Sequence, residues 1–283
     1  MSALVIQNEV LDLDGDMDAM HPPTETADAP DGGHQGDGNG PDTLADANKQ
    51  HFTDIAETYG ELPSAKKLAK YLAVAMRKLY AFDKNSTSVL DFGCGPGKPD
   101  SILVFDAARW NSCMDGCTGL VSSELAADTK KVVGVDISEG MVEQYNKRMQ
   151  KLGVPPEEMH ALCLELKGEP GELDGAKFDI VVCSMAYHHI DDIAATTRLL
   201  VGFLKPGGHL IICDMTRGEE GREIVPEPFH EIVSHEYGFS EADIRANFEG
   251  AGLKYFGFQL LVKARVHGLT VDLFVGRGVK PTE

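Results

Sequence analysis

The chain is short of basic residues: 26 Lys and Arg stand against 45 Asp and Glu, a formal charge of −19 over 283 residues. Nucleic-acid binding needs a basic face to meet phosphates, and no cluster of Lys and Arg supplies one, so nucleic acid is not an expected partner. No apolar run approaches the roughly 20 residues that span a bilayer. The opening MSALVIQNEVLDLDGD lacks the positive n-region and long apolar stretch of a signal peptide. A cytoplasmic protein without a membrane span is expected. The six cysteines form no disulfide framework, because Cys94, Cys163, Cys183 and Cys213 sit in or beside apolar strand-like runs, where a thiol acts as a small core residue. Cys113 and Cys117 have C-x3-C spacing with no second pair, too little for zinc. Residues 1–47 lack Lys and Arg altogether and hold eleven Asp and Glu, which leaves −8 of the charge for the other 236 residues. Within that stretch DAPDGGHQGDGNGPD cannot bury enough apolar surface to offset its ordering entropy, so residues 1–47 read as an acidic disordered tail, either a solvated spacer or an interaction segment.

What is present is a hydrophobic fraction of 42%, enough for one folded core. From Asn48 the apolar residues take helical spacing, Phe52, Ile55, Ala56 and Tyr59 and then Leu68, Tyr71, Leu72, Ala75 and Leu79, so two helices lie within 48–86. The short apolar runs SVLDFG, KKVVGVD, MHALCLEL, FDIVVCSM and GGHLIICDM read as strands buried on both faces of a parallel sheet. Between them SEGMVEQYNKRMQKL and DDIAATTRLLVGFL have helix length and periodicity, with Ser138 and Asp191 or Asp192 available as N-caps. Beyond Gly207-Gly208 a capping box at Ser240–Asp243 opens a helix, and strands follow near 253–262 and 269–275. Alternation of strand and helix is the pattern of a doubly wound α/β domain. No internal repeat is found.

Three places carry chemistry. In LDFGCGPG the glycines fall at 93, 95 and 97 directly after a strand, where a missing Cβ lets backbone approach a ligand and adopt positive φ. The dinucleotide spacing G-x-G-x-x-G is not met, since position 98 is Lys. Asp136 ends KKVVGVD at the tip of the neighbouring strand, where a carboxylate accepts both hydroxyls of a ribose. Helix capping is the plainer role for Asp136, but Ser138 is better placed for it. Glu165 follows a third strand and can meet an adenine amino group; Ser184 ends a fourth strand that opens onto the same cleft.

The ordered set VLDFGCGPG, VVGVDIS, FDIVVCSMAYHHIDD and LLVGFLKPGGHLII resembles the class I S-adenosylmethionine-dependent methyltransferases, of the small-molecule, ubiquinone-biosynthesis-like kind. The resemblance covers roughly residues 50–276. It implies a Rossmann-like α/β fold: a seven-stranded, mostly parallel sheet with helices on both faces and the last strand antiparallel. It also implies S-adenosyl-L-methionine as cofactor and a small-molecule methyl acceptor as partner. By position, Gly93, Gly95 and Gly97 line the cofactor's methionine and ribose part, Asp136 the ribose diol, Ile137 one adenine face, and Glu165 with Leu166 the adenine edge; Asp91, Cys94 and Ser184 are further candidate cofactor-binding residues. Glu165 departs from the family's usual Asp. HFTDIAETYG resembles the family's lid segment, making Tyr59 a candidate to cover the cofactor. His188 or His189 is the candidate base for an acceptor hydroxyl, each with a structural role at a strand end as its alternative. HHIDD also permits a metal cluster, though none is expected. The segment 217–239 is the expected acceptor pocket. A methyltransferase-like binding protein without catalysis is the competing class. An NAD-dependent oxidoreductase is disfavoured by the glycine spacing and by the lack of a Tyr-x-x-x-Lys pair.

One stretch breaks the pattern. After GCGPG the family continues directly into a helix, yet here KPDSILVFDAARWNSCMDGCT, residues 98–118, intervenes before GLVSSELA. Gly97-Lys98 can be encoded with a donor-like GTAAG and Thr118-Gly119 with an acceptor-like CAG. The expectation is a translated, unspliced intron; the alternative is a surface insertion.

Overall fold

The computed structural model describes residues 10–13, 43–59, 63–95, 119–218 and 221–282. In chain order these form β1 (Val10–Asp12), α1 (Leu44–Tyr59), α2 (Pro63–Leu79), β2 (Ser88–Phe92), α3 (Leu120–Leu125), β3 (Lys131–Asp136) and α4 (Glu139–Lys151). There follow β4 (Met159–Cys163), β5 (Phe178–Ser184), α5 (Ile193–Gly202), β6 (Leu204–Met215), α6 (Glu241–Gly250), β7 (Lys254–Val266) and β8 (Leu269–Val279). The strands make one sheet in the order β1-β7-β8-β6-β5-β2-β3-β4. Strands β4, β3, β2, β5 and β6 are mutually parallel, and β8 runs against both β6 and β7. This is the expected Rossmann-like sheet with its reversed last strand, widened by an eighth strand at the edge.

The apolar runs are continuous because the central strands are covered on both faces. Leu68, Leu72 and Met76 of α2, Val121 and Leu125 of α3, and Val142, Tyr145 and Met149 of α4 pack into one core. Leu200 of α5 with Ile244 and Phe248 of α6 pack into a second. Alternate strand residues feed the two layers, Val89 and Ile180 one, Leu90 and Val181 the other. Helix starts follow the capping signals: Ser138 Oγ accepts from the Met141 N–H at 3.2 Å, Asp192 from the Ala195 N–H at 2.8 Å, and Ser240 with Asp243 closes a capping box. Chain order reverses at β2, with β3 and β4 on one side and β5 on the other, so a crevice opens at their carboxyl ends.

The acidic N-terminal stretch is not wholly outside the fold, which corrects the reading of residues 1–47 as a disordered tail. Val10, Leu11 and Asp12 pair in parallel with Lys263, Ala264 and Arg265, and α1 begins at Leu44 rather than Asn48. Leu11 is 2% exposed within the core that contains α2. Pairing with the edge of β7 and burial of Leu11, not the composition of the surrounding stretch, hold β1 in place. Leu11→Ala is expected to cost roughly 2–5 kcal/mol in urea unfolding; a change of zero would show that β1 is not docked in solution. Cys94, Cys183 and Cys213 are buried free thiols as expected, but Cys163 is exposed, because β4 is an edge strand whose last two residues face outward. Among the described residues no helix is long and apolar enough to cross a membrane.

Candidate active site

The carboxyl ends of β2, β3 and β5 bound a cleft of about 350 Å³, roofed by Leu44, Ala45, Asn48 and Phe52 of α1 and by Leu68, Ala69 and Leu72 of α2. Its floor is a turn whose backbone favours glycine. Gly93 has φ 67° and Gly95 φ 64°, the left-handed region where a Cβ is strained. A Cβ on Gly93 would stand 2.8 Å from Ala186 Cβ, across from β5. The Gly93 and Cys94 N–H groups both donate to the Val135 carbonyl, at 2.9 and 3.2 Å, which fastens the turn to the end of β3.

Asp136 completes that fastening. Its Oδ2 accepts from the Gly95 N–H and its Oδ1 from the Ser138 N–H, each at 2.9 Å. Burial still raises its carboxyl above the usual range, with the backbone N–H groups opposing. Each carboxylate oxygen keeps a lone pair beyond those bonds, and the residue lines the cleft beside Ile137. Asp91, on β2, also lines it. It is 3% exposed, accepts a short hydrogen bond from the Ser122 hydroxyl of α3, and is pushed up to about 7 by burial.

Leu166 is buried at the wall, and the Glu165 side chain is 64% exposed at the rim, 3.6 Å from Lys167 Nζ. Ser184 lies at the cleft where β5 ends, next to Met185, whose φ is 53°. Gly97 and residues 98–118 lie outside the described residues, as does the side chain of Tyr59, the last residue of α1. The flanks of the interrupted loop nevertheless meet: the Gly119 N–H donates to the Cys94 carbonyl at 3.3 Å. With 98–118 removed, Gly119 would be the fourth residue after Cys94, and N–H of residue i+4 to C=O of residue i is the bond of an α-turn.

The two histidines divide. His188 turns into the protein: its Nδ1 meets Asp214 Oδ1 at 2.8 Å, its backbone N–H donates to Asp214 Oδ2 at 3.2 Å, and it is absent from the described cleft lining. Its ring is thus held on Asp214 and stands outside the described lining. His189 lines the cleft, and its Nδ1 lies 2.5 Å from the Ile232 carbonyl. A carbonyl only accepts, so Nδ1 carries the proton and Nε2 keeps its lone pair. Burial lowers the His189 pKa well below the usual imidazole range, with the Ile232 bond opposing, so the ring is neutral. Phe52 of α1 meets it edge-on at 5.1 Å.

Segment 217–239, expected to wall the acceptor, contributes none of the described lining residues. It works from behind. Besides Ile232, the Ser234 and His235 N–H groups donate to the His188 carbonyl at 3.0 and 3.1 Å, and His235 Nε2 bonds the Ile190 carbonyl at 3.0 Å. Partners 40 or more residues away in sequence leave no local pattern. Asn48 and Phe52 of the roof were likewise hidden in an ordinary helical stripe. Among the described residues no group of three or more His, Cys, Asp or Glu gathers to hold a metal ion.

The chain is 34% identical over 226 residues to an uncharacterised methyltransferase of Schizosaccharomyces pombe, covering 73% of this chain and 78% of the other. It is 28% identical over 103 residues to a ubiquinone biosynthesis O-methyltransferase of Marinobacter nauticus, covering 36% and 42% of the two chains. Its fold is similar to that of a SAM dependent methyltransferase from Aquifex aeolicus, with a TM-score of 0.52, 19% identity, and coverage of 82% and 97%. The sequence profile of a methyltransferase domain matches residues 64–256, which takes in the strands β2 to β6 and every described wall of the cleft except α1, and the chain belongs to that methyltransferase family.

Proposed function

We propose that the chain transfers the methyl group of S-adenosyl-L-methionine to a small-molecule acceptor. The carrying observation is the juxtaposition of a Cβ-free turn at Gly93–Gly95 with the Asp136 carboxylate on one side of the cleft. The residues fit the cofactor: Gly93 leaves a cradle that a Cβ would fill, and Asp136 has lone pairs free to accept both hydroxyls of a ribose. Ile137 and Leu166 offer apolar faces to a base, with Glu165 at its edge, while Asp91, Cys94 and Ser184 line the adjoining half. When bound, the cofactor supplies an electrophilic methyl group on a sulfonium, so alignment of the acceptor is the protein's main task. The likeness to a structure described as SAM dependent supports the choice of donor.

His189 takes the proton of an acceptor hydroxyl on Nε2, with Nδ1–H held on Ile232 so that one tautomer faces the cleft. The roof from α1 and α2 keeps water from the reacting groups. Asp136→Ala removes both the diol acceptor and the staple on the glycine turn. By calorimetry its affinity for S-adenosylhomocysteine is expected to fall at least about 100-fold, from two lost charge-assisted bonds. Wild-type protein that binds no S-adenosylhomocysteine overturns the function itself; binding with no turnover against a metabolite extract points to a non-catalytic member of the family.

Residues 98–118 interrupt the chain between Cys94 and Gly119, whose hydrogen bond is nevertheless made across them. Their deletion is expected to leave the described elements intact and to tighten S-adenosylhomocysteine binding. Equal affinity with and without them contradicts that expectation. Transcripts joined between codons 97 and 119 are the matching observation for a retained intron.

A further inference from the structure

The roof of the cleft contains a polar group with nothing to do in the protein alone. Asn48, on α1, is 4% exposed and lines the cleft. Its Nδ2 donates to the Leu44 carbonyl one turn back, at 3.0 Å. A carbonyl cannot donate, so the amide has only one orientation: NH2 toward Leu44 and Oδ1 the other way. That Oδ1 is buried and has no hydrogen-bond partner. Among the described residues that line the cleft, no other side chain carries a buried polar atom left unpaired. An orphaned buried acceptor is destabilising, and a leucine of nearly the same size at this position would avoid that. The neighbourhood offers no other use for an amide: Leu44, Ala45 and Phe52 beside it on α1, and Leu68, Ala69 and Leu72 of α2, are apolar.

We propose that Asn48 is a specificity-determining residue, whose Oδ1 accepts a hydrogen bond from an N–H or O–H group of a molecule bound in the cleft. The proposal rests on the methyl-transfer reading, and it names the recognition chemistry of the site's roof. Two bound molecules carry such a donor: the ammonium of the cofactor's amino-acid part, and a hydroxyl or amine of the methyl acceptor. Asn48 lies one turn from Phe52, which touches His189, so the recognition point and the base are linked through one side chain. The described lining contains Asp91, Asp136, Glu165 and Asp191 and no Lys or Arg. A cleft whose described lining holds acids and no base favours donors and repels anions, so the group the amide oxygen recognises there is neutral or cationic.

The test compares Asn48→Leu with wild type, using two probes. S-adenosylhomocysteine carries the ammonium; 5′-methylthioadenosine shares the nucleoside and lacks the amino-acid part. Thermal unfolding establishes that the variant folds, and its Tm is expected to rise, since the orphaned acceptor is gone. If the cofactor is the source of the donor, affinity for S-adenosylhomocysteine falls about tenfold or more and that for 5′-methylthioadenosine stays as it was. If the acceptor is the source, both affinities hold, and methyl transfer into a metabolite extract shows a raised KM with kcat kept. Unchanged binding of S-adenosylhomocysteine together with unchanged transfer kinetics overturns the proposal. Equal loss for both probes overturns it too, because a general defect of the cleft would then be the cause. Wild type that binds neither probe fails the methyl-transfer reading instead, so the two failures are told apart.

Discussion

Replacing His189 by Gln is expected to lower kcat for a hydroxyl acceptor about 10²–10⁴-fold, the range for loss of a positioned base, and to leave S-adenosylhomocysteine affinity unchanged, if the proposed role of the ring holds. The expectation follows from the tautomer. Ile232 holds the Nδ1 proton, which leaves the Nε2 lone pair on a ring that lines the cleft. His188→Gln is expected to act differently, because its ring is bonded to buried Asp214; it weakens the fold and the seating of the turn rather than removing a proton acceptor. The pH profile carries the second half of the test. Burial keeps His189 well below 6.5, so the base is already neutral there. The rate is therefore expected to run flat from neutrality down through 6.5 and to decline only in more acidic solution, as the ring gains a proton. A decline centred on 6.5, or equal losses from the two histidine variants, would reverse the assignment.

Asp91→Asn is expected to stabilise the protein by about 4 kcal/mol above pH 7 and by almost nothing below about pH 3, from 1.36 kcal/mol per unit of pKa difference. Asp91 is pushed from an ordinary 3.8 to about 7, chiefly by burial, with the Ser122 hydroxyl opposing and the Asp136 charge adding. Below both values folded and unfolded chains hold the proton alike, and the group is silent. Between them the folded chain keeps a proton that the unfolded chain has released, so stability falls as pH rises; above about 7 the full cost of a buried charge is present. Asparagine keeps an oxygen for Ser122 and has no charge to bury. Urea unfolding of both proteins at several pH values reads the difference directly, and a gap that does not vary with pH would sink the explanation. A loss of S-adenosylhomocysteine affinity in the same variant would explain why a costly acid stands there, since binding sites are held at the expense of stability.

Much of the fold was legible because its signals are local. The runs SVLDF, KVVGVD and FDIVVCS are apolar without interruption since helices cover both faces of the sheet, and Ser138, Asp192 and Ser240 cap the helices their positions announce. β1 was missed because three residues in an acidic stretch have no period to read, and only the edge of β7 makes them a strand. The candidate site was legible in the same measure. Gly93, Gly95, Asp136 and Ser184 line one cleft or its turn, as their places at strand ends imply, and Ile137 and Leu166 line it as the family resemblance implies. Glu165 stands further out, at the rim and beside Lys167.

Sequence alone determined the order of elements, the glycine turn after β2 and the acid at the end of β3, since each is written in residues within a few positions of one another; that turn and acid meet, 41 residues apart, was decided by the tertiary structure. Sequence left His188 and His189 equivalent, because adjacent residues of one type share every local signal. Only the tertiary structure separated them, by bringing Asp214 to one ring and the Ile232 carbonyl to the other from elements 26 and 43 residues away. The same holds for Asn48 and for the meeting of Cys94 with Gly119: an unpaired oxygen, or a turn closed across an interruption, exists only once distant segments have packed and the remaining partners are counted.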